Sequence, residues 1–175
     1  MSKTTQHLEE IEKQLVWDFF GRRRNGFFIE VGANDPRAGS QTYLLEQAGW
    51  RGILIEPQSA LYQRLVVERP HSRIYKAACG SPERRGTATL HIASHDGLST
   101  LERQIDSHGI EFTGTETVDL VALDDLLEKE GSPHVDFISI DVEGGEVDVL
   151  RGFSLERYQP ALVLIEDGVR NLDKH

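Results

Sequence analysis

Four short stretches of the chain are apolar almost without interruption: Phe27–Val31, residues 52–55, residues 135–140 and residues 161–165. Each is rich in β-branched or aromatic residues and gives way to Gly, Pro, Asn, Asp or Glu. Runs of this kind predict strands buried on both faces, the pattern of a parallel sheet. A fifth core strand is expected over about residues 73–78, third in chain order. Between the strands the apolar period changes to helical. Leu8, Ile11, Leu15, Phe19 and Phe20 mark an amphipathic helix that Gly21 stops. Residues 42–48 form a short helix with Ser40 as its N-cap and Gly49 at its end. Ser59 caps a helix carrying Leu61, Leu65 and Val66, closed by Pro70. Residues 122–129 and 146–150 make two more. Strand and helix alternate with short links, so the sheet should be parallel with right-handed crossovers.

The alternation breaks between residues 80 and 121. Residues 80–86 are turn-rich, and 87–92 alternate like a half-exposed strand. Residues 94–115 are long, polar and aperiodic, with His95, Asp96, Ser99, Asp106 and His108. A loop of that length inside a compact domain is commonly functional or disordered. Residues 117–121 form another short alternating strand. The 175 residues suit one core: an amphipathic helix and basic turn over residues 1–25, then one domain over 26–175. No apolar run approaches the ~20 residues of a membrane span, and the N-terminus lacks the apolar centre of a signal peptide. A single cysteine, Cys79, makes a reducing cytoplasm the expected compartment. The net charge of -10 argues against a nucleic-acid partner, and no membrane partner is expected. Arg22, Arg23 and Arg24 read as a cationic turn at a helix C-terminus.

The chemistry concentrates at strand ends. Asp35, Glu56, Asp141 and Glu166 lie at or just past four of the five core strands, and in a parallel sheet those ends share one edge. Glu56, twenty-odd residues beyond the first loop, is placed to accept both hydroxyls of a ribose, so an adenosine-type ligand is expected. The first loop narrows the choice. A dinucleotide fold needs spaced glycines that admit a pyrophosphate. Here Gly32 is followed by Ala33, Asn34, Asp35 and Pro36: an acid that repels pyrophosphate and a residue with no N–H to donate. NAD is disfavoured, and a zwitterionic sulfonium ligand suits Glu30, Asn34 and Asp35 better. No metal is expected, the alternative being Mg²⁺ held by Asp141 and Glu143, since hard cations take carboxylate oxygens.

Four segments in order carry a family resemblance: Phe28 to Asn34, Gly52 to Pro57, Thr117 to Leu126 and Asp136 to Glu146. Together they resemble the FkbM family of S-adenosylmethionine-dependent methyltransferases. The resemblance implies a Rossmann-like class I fold, a three-layer α/β sandwich with a mostly parallel sheet. It implies that S-adenosyl-L-methionine is bound and S-adenosyl-L-homocysteine released. Gly32 and its neighbours would approach the methionine portion, Glu56 the ribose, Ala78 and Ser99 the adenine region, and Asp141 the transferring methyl; Glu30, Asn34 and Ser40 complete the cofactor-binding set. O-methylation of a sugar or natural-product hydroxyl is the implied reaction, with a small-molecule or saccharide acceptor. Asp141 and Glu143 are the first candidates for general base, with His95 and His108 as runners-up and as the candidates for acceptor contacts. Two departures stand out. Asp35-Pro36 replaces a small residue, and the chain ends after the fifth core strand where such folds continue to a sixth and seventh. A truncated or minimal member is therefore expected, its open sheet edge suited to a homodimer. The rival readings are a non-catalytic binding or assembly module and, more distantly, an NAD-linked oxidoreductase.

Overall fold

The computed structural model describes residues 3–94, 99–101 and 111–166, with side chains from Glu10 onward. The apolar runs form β1 (Phe27–Val31), β2 (Arg51–Ile55), β7 (Phe137–Ile140) and β8 (Leu162–Ile165), joined by the short β3 (Arg73–Tyr75). They make one five-stranded sheet in the order β3-β2-β1-β7-β8, and every pairing is parallel. β1 is the centre because it has no polar side chain except Glu30, and from Phe28 onward all its residues are buried.

Helices cover both faces. Alternation of side chains along each strand sends Phe28, Leu54 and Phe137 to one face, where they meet Val16 of α1 (Lys3–Phe19), Leu45 of α2 (Tyr43–Gln47) and Leu65 of α3 (Ser59–Glu68). Ile29, Val31, Ile53, Ile55, Ile138 and Ile140 point the other way. There they meet Leu123, Leu126 and Leu127 of α4 (Leu123–Lys129), Val149 of α5 (Glu146–Arg151) and Tyr158 of α6 (Leu155–Tyr158). The result is a three-layer, Rossmann-like α/β sandwich. The N-terminal helix packs into this core through Val16. The basic turn after it is structural: the Arg23 guanidinium lies over Trp50 and pairs with Asp136, whose other oxygen accepts the Phe27 N–H.

One expected strand divides. The run at residues 73–78 keeps β3 only to Tyr75; the chain then turns at Lys76-Ala77, and β4 (Ala78–Cys79) joins a second sheet. That sheet, ordered β4-β6-β5, is built on the antiparallel pair β5 (Gly86–Ala93) and β6 (Phe112–Val121). β6 starts at Phe112, inside the segment whose polarity reads as loop. Leu90, Val118 and Leu120 give it a small core of its own with Ala78. Among the described residues no helix is long and apolar enough to cross a membrane.

Candidate active site

The strand order reverses between β1 and β7: the chain moves outward through β2 and β3, then returns to β1's other flank. Loops diverge at such a point and leave a crevice at the carboxyl ends of the strands. A cavity of about 830 Å³, open solvent at its mouth included, lies there. Val31 is in register with Ile55 on one side and Ile140 on the other, and Ile140 with Ile165. The next residue of each strand therefore makes a row along the edge: Glu56, Gly32, Asp141, Glu166. The sequence pattern of strand-end acids becomes one spatial series with a glycine gap.

The gap is required. Gly32 has φ +81°, and a Cβ there would lie 1.7 Å from the Asp141 carbonyl oxygen. Its N–H and that of Ala33 both donate to Ile55 O, at 3.0 and 3.1 Å, which ties the loop to the end of β2. Asn34 follows with φ +47°, a conformation Asn tolerates better than most. That geometry turns the Asn34 N–H onto Glu56 Oε2 at 2.9 Å, while Gln58 N–H donates to Glu56 Oε1 at 2.8 Å. Glu56 is thus held at the pocket wall with both oxygens oriented. Burial pushes its carboxyl up to about 7 against the pull of those two N–H groups, and the nearby Glu116 charge adds to the rise. Asn34 lines the cavity, and its buried Oδ1 has no partner among the described residues.

Asp141 lines the same cavity from the end of β7, followed by Glu143. Burial is the main cause raising the Asp141 carboxyl; a hydrogen bond with Glu166 and the charges of Glu166, Glu143 and Glu146 push it further. Glu143 (φ +57°) and Gly144 (φ +115°) form the turn into α5. Glu146 clamps that turn by accepting the Gly144 N–H at 2.9 Å. Among the described residues no group of three or more His, Cys, Asp or Glu side chains is placed to hold a metal ion.

The remaining wall is largely apolar and comes from the second sheet. Ala77, Ala78, Cys79 and Leu90 line the cavity together with Leu61 and Pro57, and Ser99, Thr100 and Leu101 add to the lining. Thr100 pairs with His91 of β5 through both backbone groups, at 2.9 and 3.1 Å, and its hydroxyl donates to Glu143 O at 3.0 Å. The Ser99 hydroxyl lies 3.2 Å from Gln58 Oε1. Cys79 is wall and not nucleophile, since burial pushes its thiol up to about 12.

Of the sequence-derived site residues, Gly32, Asn34, Glu56, Ala78, Ser99, Asp141 and Glu143 come together around this one cavity. Glu30 and Ser40 lie elsewhere. The Glu30 carboxylate accepts the hydroxyls of Ser40 and Thr42, at 2.9 and 2.6 Å, and the Gln41 N–H at 2.8 Å. Fully buried Arg69 then binds Ser40 Oγ, Thr42 Oγ1, Pro36 O and Glu46. These two residues shape the loop from behind instead of lining the pocket. Asp35 and Pro36 belong to the same scaffold: Asp35 accepts the Arg37 and Ala38 N–H groups and pairs with Arg64. Burial alone would raise the Asp35 carboxyl, but those bonds hold it below its usual range. His95 and His108 lie outside the described residues. Sequence reasoning missed Gln58, Leu61, Leu90, Thr100 and Leu101 as wall residues, and Glu166 as the partner of Asp141; the strand register was the signal for the last.

A parallel sheet with a crevice at its switch point, a strand-tip carboxylate beside that crevice and a floor opened by one glycine define a Rossmann-like enzyme fold built around a small ligand. The family model described as "Methyltransferase FkbM domain" matches residues 30–174, and the chain belongs to that family of methyltransferases. No curated protein and no solved structure matches it.

Proposed function

We propose that the protein is an S-adenosyl-L-methionine-dependent O-methyltransferase acting on a hydroxyl of a sugar or natural-product acceptor. The observation that carries this reading is Glu56, a buried strand-tip carboxylate whose oxygens are pre-oriented by the Asn34 and Gln58 N–H groups. A carboxylate so held accepts paired ribose hydroxyls without reorganising. The pocket fits the cofactor on two further counts. Asn34 Oδ1 is buried and lacks a partner, as an acceptor reserved for a ligand donor would be. The Ala77, Ala78, Cys79 and Leu90 wall is suited to the flat apolar face of an adenine.

Glu56 and Asn34 would hold the adenosyl and methionine portions, with Gly32 leaving the floor open beside Asp141. When bound, the cofactor supplies an electrophilic methyl group on a sulfonium. The chain's share is alignment and proton management. Asp141 and Glu143 flank the cavity as the carboxylates that take the acceptor's hydroxyl proton, an effect worth typically ~10²–10⁴-fold.

The test is a melting curve with S-adenosyl-L-homocysteine. At a hundredfold excess over its dissociation constant, binding adds ~2.7 kcal/mol, a rise on the order of 5–10 °C for a chain of this size. No rise with that ligand, together with a clear rise from NAD, would refute the proposal.

A further inference from the structure

Asp141 and Glu166 follow the last residues of two adjacent parallel strands whose register is fixed by the Ile140↔Ile165 pair. The Glu166 N–H donates to Ile140 O at 3.0 Å, and the Asp141 N–H to Val31 O at 3.0 Å, so both backbones are pinned. The register brings the two residues side by side, and after burial Glu166 is the main influence raising the Asp141 carboxyl. Two carboxyl groups on neighbouring strand ends cannot both ionise without cost, and one proton held between them removes that cost. Among the described residues, the charges that raise Asp141 come from acids: Glu166 from the end of β8, Glu143 from the turn and Glu146 from α5. Arg84, on the pocket wall, pairs with Asp148. Asp141 faces the cavity while Glu166 is exposed at the sheet's edge, so the pair spans from pocket to solvent.

We propose that Asp141 and Glu166 act as one proton-sharing pair. Glu166 is the positioning residue: it holds Asp141 in place, governs its protonation, and returns a proton taken in the pocket to solvent. The inference rests on the methyltransferase reading of the site. As the acceptor oxygen bonds to the methyl carbon, its O–H bond breaks and the carbon–sulfur electron pair stays on the donor's sulfur. The proton passes to Asp141, and Glu166 releases an equivalent proton to water. Between turnovers one proton remains between the two side chains, relieving the repulsion of four neighbouring acids.

Carbon-13 NMR of labelled aspartate carboxyls tests this on the protein alone, with the Asp141 signal assigned by its loss in Asp141→Asn. In the unmodified protein Asp141 should titrate well above the ordinary carboxylate range. In Glu166→Gln its midpoint should fall by at least about one pH unit, burial being left in place. Glu166→Ala should give the same direction if the amide perturbs the fold. A midpoint unmoved in both variants, or an ordinary midpoint in the unmodified protein, would overturn the pair. The S-adenosyl-L-homocysteine melting shift should persist in both variants. Its absence from the unmodified protein would sink the cofactor reading, while the titration would still decide the pair.

Discussion

Glu56 is where one side chain carries both a cost and a use. Its carboxyl sits at about 7 in the folded chain against an ordinary 4.5, with burial the main cause. The folded state therefore holds a proton that the unfolded chain gives up near pH 4.5, and stability tied to it is lost as pH rises through about 7. Ionised Glu56 is also the form that accepts two hydroxyls. Glu56→Gln keeps the shape and one acceptor but loses the charge-assisted bonds. We expect S-adenosyl-L-homocysteine affinity, measured by calorimetry at pH 8, to drop about 10- to 100-fold. The melting temperature without ligand should be unchanged or higher. Equal affinity for the variant would refute the ribose assignment. Gly32 is less useful for such an experiment, because any side chain there meets the Asp141 carbonyl and disturbs fold and pocket together.

At the scale of elements, the loop after β1 is stiff because a buried polar network stands behind it. Arg69 and Glu46 are an ion pair with both side chains 0% exposed, and Arg69 also reaches Pro36, Ser40 and Thr42. Removing one partner of such a pair leaves an uncompensated buried charge, costing about 3–5 kcal/mol. Arg69→Met should lower stability by that order in urea unfolding, and adding Glu46→Leu should recover much of the loss. A single change costing under about 1 kcal/mol would show that the network does not brace the loop. This network also marks the limit of what the sequence discloses. The core strands were legible because parallel strands buried on both faces leave unbroken apolar runs, and Glu56 and Asp141 because a parallel sheet aligns its ends. Glu30 and Ser40 fall outside the cavity lining, and their sequence could not show it, because a carboxylate next to the loop looks the same whether it faces the ligand or braces the loop. β6 was read short because its first half, from Phe112 to Glu116, is mostly exposed and shows no alternation to detect. The break after Tyr75 and the wall it creates depend on pairing between segments more than forty residues apart, Ala78 with Leu120, and no local pattern records that.

The whole molecule carries a net charge of -10 and places several acids at one edge of its sheet. Glu56 and Asp141 both have carboxyls raised by burial. The sign is the same for each: the folded form keeps protons that the unfolded form has lost, so stability falls as pH rises above about 4.5. Without ligand, the melting temperature should be higher near pH 5 than at pH 8, and ligand should narrow the gap. A flat or rising profile over that range would contradict the raised carboxyls. The strand order also has a consequence in time. β1 is flanked by β2, made soon after it, and by β7, whose neighbour Asp136 meets Phe27 across 109 residues of chain. At ribosomal rates of about 5–20 residues per second, that separation lasts roughly 5–20 s. Throughout it the central strand emerges with Phe28 and Ile29 covered on one flank only. The same reversal of strand order that opens the crevice leaves the flank of β1 uncovered until β7 is made, and apolar strands exposed in that interval are the kind of surface that chaperones shield.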